Sequence, residues 1–298
     1  MSWPELRLSE WRDTYDTLHM WLQVIGKVRL TCSPHANHWW ETPLYVTARG
    51  LTTSAIPHGE EVFEIRLDFI EHRLDIETSG GERRTVPLVP MTVADFHGRV
   101  LGALRELGID VAIRPMPVEF DGAIPLDRDV THASYDREHA ARCWRALVAA
   151  DQVLKEFGCR FTGKQSPAHF FWGSFDLALT RFSGRRAPPR PGADLITREA
   201  YSHEVISVGW WPGAGAVDAA FYAYAAPEPA GFKDRGPRDG AVYDDRLKEF
   251  LLPYEEARRR PEPKAAVLDF FQRAYDAGAE LGGWDRAALE RPCPWPAL

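Results

Sequence analysis

The chain has 298 residues, of which 45% are hydrophobic and 27% charged, a composition typical of a globular protein with a substantial core. Lys and Arg number 36 and Asp and Glu 43, so the net charge is −7. This balance argues against a general nucleic-acid binder or a protein that binds acidic membranes. The chain also has 11 tryptophans, and composition alone leaves open whether they form a core or line a pocket.

The cysteines and the hydrophobic pattern predict a cytoplasmic protein. The four cysteines are scattered and form no CxxC pair, which favours reduced, mostly buried thiols; they are Cys32, Cys143, Cys159 and Cys293. The N-terminus lacks a basic segment followed by an apolar one, so we expect no signal peptide. No window approaches 18 uninterrupted apolar residues, so we expect no membrane-spanning helix.

The first half of the chain reads as a helix, several strands and a second helix. Residues 10–25 repeat apolar side chains every three or four positions, with Ser9 as the N-cap and Gly26 as the end. Alternation then predicts strands at 28–32, 44–48, 63–70, 74–78 and 85–88. A helix over 92–107 and a short strand over 110–114 complete this half.

The second half repeats this order after a connector. Residues 115–135 are rich in Pro, Asp and Gly, so we divide the chain into a half at 1–117, a connector at 118–135 and a half at 136–298. The pattern predicts helices at 137–157, 243–258 and 264–281, strands at 174–182, 204–210 and 219–224, a loop at 184–192 and an extended tail at 291–298.

Two internal matches suggest duplication. The segment DFHGRVLGALRELG (95–108) shares seven of fourteen residues with DFFQRAYDAGAELG (269–282), namely D, F, R, A, E, L and G. Ser33-Pro34 followed by His38-Trp-Trp resembles Ser166-Pro167 followed by His169-Phe-Phe. We therefore predict an α+β fold of two similar helix–strands–helix halves, forming an internal pseudo-dimer with antiparallel sheet. Its cleft is expected where the halves meet.

The longest motifs resemble those of an uncharacterised bacterial family known only as a domain of unknown function. They are NHWWETPLYVTARGLTT (37–53), HFFWGSFDLA (169–178) and Ser202-His203-Glu204. The resemblance covers nearly the whole chain, and it implies no activity.

The sequence contains no GxGxxG, P-loop, GxSxG or HExxH motif. His38 and His169 occupy matching positions, either as acid–base groups or metal ligands in one cleft, or as imidazoles that brace two turns. His169, His203 and Asp176 are candidate ligands of a divalent metal. His203 and Glu204 are adjacent on a predicted strand and should point to opposite faces, which weakens the metal case.

The polar faces of the strands supply the preferred site. Tyr45 and Arg49 should share a face with Asp176, which sits among apolar neighbours and needs a partner. Arg49 or Arg181 could be that partner; alternatively, Arg49 holds an anionic group of a ligand in a polar pocket where the halves meet. Trp40 and Trp172 are candidate pocket walls.

Three hypotheses follow. The first is a small-molecule-binding protein, with its status as an enzyme open, in which His169, Asp176 and His38 act on an anionic molecule that Arg49, Tyr45, Trp172 and Trp40 bind. The second is a metal-dependent enzyme that uses His169, His203 and Asp176. The third is a non-catalytic interaction protein with exposed tryptophans. The sequence predicts no nucleic-acid or membrane partner and leaves the oligomeric state open.

Overall fold

Two antiparallel sheets and a set of helices form the α+β fold that the sequence predicted. The computed structural model describes residues 3–120, 122–215 and 217–292. In these ranges the helices are α1 (Leu8–Cys32), α2 (Val93–Glu106), α3 (Arg137–Gly158), α4 (Leu195–Ala200), α5 (Phe232–Arg235), α6 (Tyr254–Arg258), α7 (Pro263–Leu281) and α8 (Arg286–Leu289). A 3-10 turn spans Asn37–Trp39.

The first sheet follows α1 and has the strand order β1-β2-β4-β5-β6, with β3 paired to β4. Its strands are β1 (Tyr45–Val46), β2 (Gly50–Thr52), β3 (Ile56–His58), β4 (Glu61–Asp68), β5 (Arg73–Thr78) and β6 (Arg83–Pro87). Ile65 pairs with Ile76 and Leu67 with Leu74, and all four are buried. The alternation of β4 therefore gives one core face and one polar face.

The second sheet follows α3 and has the order β11-β12-β10-β9-β8-β7. Its strands are β7 (His169–Phe171), β8 (Asp176–Arg186), β9 (His203–Ala214), β10 (Val217–Ala226), β11 (Val242–Asp244) and β12 (Glu249–Pro253). Leu177, Trp210 and Phe221 align across three strands and are buried. This face packs against α3 and α7, so the opposite face is left for other contacts.

The two sheets meet at their first strands. Leu44, which directly precedes β1, and Phe170 of β7 exchange backbone hydrogen bonds of 2.9 Å in both directions. Both halves have the predicted order of helix, sheet and helix. The predicted duplication is not confirmed: His38 lies in the 3-10 turn, whereas His169 begins a strand, so the two motifs are not structurally equivalent.

Helix α1 is longer than the sequence predicted. Gly26 does not end it, and the predicted strand at 28–32 is wrong because these residues continue the helix. A β-carbon at Gly26 would stand 2.2 Å from the ring of Trp172. Glycine is thus required by close packing inside the helix and is not a C-terminal signal here.

Three other predicted segments are also wrong. Most of 243–258 forms β11, a turn and β12, because β12 pairs with β10; only Tyr254–Arg258 is helical. Residues 110–114 form no strand. Strand β8 continues to Arg186, into the predicted loop.

Cys32 and Cys143 carry free thiols, but Cys159 is disulfide-bonded, so the expectation of four reduced cysteines is wrong at that position. Cys293 and most of the predicted tail lie outside the described residues. In the part of the chain that the structure describes, no helix has the length and apolar character needed to cross a membrane.

The contact between Gly26 and Trp172 predicts opposite effects for two Gly→Ala changes in helices. Gly26→Ala should lower the free energy of unfolding by about 1–3 kcal/mol, because the buried indole must move. Gly98→Ala in α2 meets nothing within 4 Å and should raise it by up to about 1 kcal/mol through helix propensity. Urea denaturation of both variants measures the two changes in the free energy of unfolding. Equal changes would contradict the close contact between Gly26 and Trp172.

Candidate functional site

A cleft of about 660 Å³ lies on the face of the second sheet that α3 and α7 leave uncovered. Its floor is formed by β7, β8, β9 and β10. Its other sides come from the end of α1, the 3-10 turn, residues 118–119 and α4. The cleft is therefore lined by residues of both predicted halves and of the predicted connector. We call it the aromatic cleft, because its lining includes the sheet residues Phe171, Phe182, Tyr222 and Tyr224 and the covering residues Trp39, Trp40, Trp172 and Tyr201.

The alternation of the strands explains which side chains reach the cleft. Asp176, Ala178 and Thr180 line it, whereas the intervening residues of β8 face the core. Ala178 pairs with Gly209 on the next strand, and both are small. A β-carbon at Gly209 would lie 2.5 Å from the hydroxyl oxygen of Tyr222. The missing side chain thus lets Tyr222 lie across β9 toward β8.

Asp176 is the most buried acid of this floor, with 9% of its surface exposed. The Ser174 hydroxyl donates to its Oδ1 at 2.5 Å, and the Tyr222 hydroxyl donates to its Oδ2. Burial raises the pKa of Asp176 above its usual value, although both hydrogen bonds act in the opposite direction. Burial, followed by the charge of Asp176, also raises the pKa of Tyr222. The carboxyl group of Asp176 is therefore protonated more readily than a carboxyl group in water, and Tyr222 keeps its hydroxyl proton.

Glu119 brings a second carboxyl group to the cleft from the connector. Glu119 keeps an exposed surface, but desolvation of its carboxyl group, followed by the charge of Asp176, raises its pKa. Its neighbour Val118 is fixed to α1, because the Gln23 amide donates to its carbonyl at 2.7 Å and accepts from its N–H at 3.1 Å. Two like charges thus lie close enough to interact in a partly desolvated place.

Backbone strain is concentrated around the cleft. Seven described residues other than glycine have positive φ, and four of them flank the cleft: His38 (60°), Trp39 (61°), Glu119 (55°) and Phe175 (58°). Phe175 immediately precedes Asp176. Such conformations cost free energy for residues with a β-carbon and cluster at ligand sites.

Glu199 of α4 holds the 3-10 turn over the cleft. Its carboxylate accepts from the His38 N–H and contacts His35 Nε2, both at 3.1 Å, and its carbonyl contacts His38 Nδ1 at 3.0 Å. His35 Nδ1 also lies 2.9 Å from Glu41. The hydrogen bond with Glu41 raises the pKa of His35, while burial lowers the pKa of His38. These contacts position the covering side of the cleft.

Four residues that the sequence assigned to a site are brought together here. His38, Trp40, Trp172 and Asp176 all line the cleft. Trp172 is fixed by a 3.0 Å hydrogen bond from its Nε1 to the carbonyl of Thr42. Their chemical roles stay predictions. For His38, one ring nitrogen, Nδ1, is already occupied by the carbonyl of Glu199.

His169 and His203 lie next to the cleft and do not line it. His169 is 1% exposed, its ring contacts Trp40, and burial lowers its pKa to about 4, so it is neutral at pH 7. The ring centroid of His203 lies 5.6 Å from that of His38. The predicted metal set of His169, His203 and Asp176 is not assembled: among the described residues, no group of three His, Cys, Asp or Glu side chains could hold a metal ion.

The structure does not bring Arg49 to the cleft. Arg49 lies on the polar face of the first sheet and donates to Asp68 at 2.6 Å. Burial acts to raise the pKa of Asp68, but the backbone N–H of Glu71 and the Arg49 guanidinium lower it overall. Tyr45 likewise lies outside, beneath the guanidinium of Arg29 and beside His169. The expectation of a shared face is therefore not met, because the polar faces belong to two different sheets.

Sequence reasoning missed Glu119, Ser174, Tyr222 and Tyr224. The two tyrosines alternate with alanines in β10, so the period of the predicted strand placed them on one face. Glu119 had no such signal, since it lies in an irregular segment whose position depends on α1.

Comparison with known proteins gives one match. A family model described as a family of unknown function, DUF5996, matches residues 3–291. This confirms the resemblance that the motifs indicated. No curated protein and no solved structure matches the chain.

The burial of Asp176 predicts that Asp176→Asn stabilises the protein at neutral pH. The pKa of the folded carboxyl is above its usual value of 3.8, so its ionisation costs folding free energy once the pH rises above 3.8. The gain in melting temperature should grow as the pH rises from about 3.8 through the folded pKa, and vanish below 3.8. Thermal melts at several pH values measure it. The exposed Asp110→Asn is the control, and a loss of stability in Asp176→Asn at pH 7 would contradict the analysis.

Proposed function

We propose that the chain, which belongs to the family of unknown function DUF5996, binds a small organic molecule in the aromatic cleft. One observation carries this proposal: a buried, hydrogen-bonded carboxyl group, Asp176, stands on the floor of a 660 Å³ space whose sides are largely aromatic. Ligand sites in proteins are typically concave, mostly apolar and marked by a few such polar groups.

Volume and strain support this proposal. Ligand pockets typically measure about 300–1,000 Å³, and this cleft is within that range. Ala178 on its floor is small, which leaves room above β8, while the missing side chain of Gly209 lets Tyr222 lie across β9. The positive φ angles of His38, Trp39 and Glu119 occur on its covering side, and strain of this kind persists where the surroundings require a particular geometry.

The geometry supports binding more directly than catalysis. His38, a predicted acid–base group, has its Nδ1 occupied by a backbone carbonyl, and neutral His169 lies behind the aromatic wall. Asp176 and Tyr222 are the titratable pair that a bound molecule would meet on the floor. Their hydrogen bond fixes the orientation of the carboxyl group on that floor.

The hypothesis of a partner surface made of exposed tryptophans gains no support. In residues 3–120, 122–215 and 217–292, every tryptophan is buried or half-buried. Trp11, Trp21 and Trp210 belong to the main core, whereas Trp39, Trp40 and Trp172 line the cleft. The excess of tryptophan is thus divided between core and cleft.

Filling the cleft tests the proposal. The neutral fluorophore N-phenyl-1-naphthylamine should bind the protein with enhanced fluorescence. In Ala178→Trp its affinity should fall by about tenfold or more, because the indole occupies the floor. Ala265→Trp, on an exposed position of α7, is the matched control and should bind as the unmodified protein does.

Circular dichroism and thermal melts of both variants check that they fold. If Ala178→Trp is unstable, the smaller change Ala178→Phe replaces it in the same titration. Absence of fluorophore binding to the unmodified protein, or unchanged affinity in a folded Ala178 variant, would contradict the proposal.

A further inference from the structure

We infer that the molecule bound in the aromatic cleft carries an organic cation, such as a protonated amine, that forms an ion pair with Asp176. This inference names the ligand class of the proposed binding site and rests on that proposed function. It differs from the anionic ligand predicted from the sequence, because Arg49 lies elsewhere.

Asp176 has no cationic partner among the described residues. Its side-chain hydrogen-bond donors there are the hydroxyls of Ser174 and Tyr222, which are neutral, and no described Lys, Arg or His forms an ion pair with it. A buried carboxylate is costly unless it is paired, and Asp176 faces the open space of the cleft. A ligand ammonium would supply the missing charge through a short, charge-assisted hydrogen bond.

Acidic side chains outnumber basic ones around Asp176 in the described lining of the cleft. Glu119 and Asp194 also line the cleft, and the charges of Asp176 and Asp194 both act on Glu119. Of the described lining residues, Lys27 is the one Lys or Arg, and its ammonium lies over the ring of Trp172 and forms no ion pair with Asp176 or Glu119. A cationic group in this region would therefore gain from more than one carboxylate.

Three probes of the same shape test the inference by displacing N-phenyl-1-naphthylamine at pH 7. They are 2-(1-naphthyl)ethylamine, which is cationic, 2-(1-naphthyl)ethanol, which is neutral, and 1-naphthylacetate, which is anionic. The amine should bind the unmodified protein at least about tenfold more tightly than the alcohol, and the carboxylate most weakly.

The ratio of amine to alcohol affinity is the readout in the variants. It should fall toward one in Asp176→Asn and fall partially in Glu119→Gln, whereas Asp110→Asn, an exposed control, should retain it. Equal binding of amine and alcohol, or tightest binding of the carboxylate, would overturn the inference while the fluorophore still reports an intact cleft. Failure of the fluorophore itself to bind would instead overturn the proposed function.

Discussion

Helix α1 is buried along almost its whole length, and its polar side chains determine where the cleft residues stand. Since buried polar groups are stabilised by hydrogen-bond partners, two of these side chains fix neighbouring segments of the cleft. His19 Nε2 contacts the carbonyls of Trp172 and Gly173 at 3.1 and 2.9 Å, and burial lowers its pKa to about 4, so it remains a neutral donor. Gln23 fixes Val118 in the same way. These bonds place the segments that carry Asp176 and Glu119, and Gly26 allows Trp172 to close against the helix.

Forming the cleft therefore costs folding free energy, and the packing of the surrounding fold offsets that cost. Asp176 loses hydration, Glu119 adopts a positive φ, and the 3-10 turn contains two successive residues in the left-handed region. The core of the second sheet, where Leu177, Trp210 and Phe221 align, stabilises the platform beneath them. A site that is less stable than its scaffold is typical of binding functions, in which a ligand supplies the missing interactions.

Much of the fold could be predicted from periodicity, because α2, α3, α7, β4 and β5 each show a clear one-sided pattern. The prediction failed where tertiary contacts override local pattern. Gly26 resembled a helix end, but its role is to admit Trp172. For the site, the apolar neighbours of Asp176 correctly indicated that it is desolvated. The position of Arg49 could not be predicted, because the sequence does not show which polar face adjoins which. In the structure, Arg49 forms an ion pair with Asp68 of the same sheet. The position of Glu119 could not be predicted without the contacts of α1, because Gln23 of that helix fixes the neighbouring Val118.

The contact of a ligand cation with Asp176 inside the aromatic cleft is the central claim. A crystal structure of the protein with 2-(1-naphthyl)ethylamine tests this directly. We predict that the ammonium nitrogen lies about 2.7–2.9 Å from a carboxylate oxygen of Asp176, the distance of a charge-assisted hydrogen bond. The naphthyl ring should lie between the sheet and the covering tryptophans. An amine bound elsewhere, or bound in the cleft with its nitrogen turned toward solvent and away from Asp176, would contradict the account.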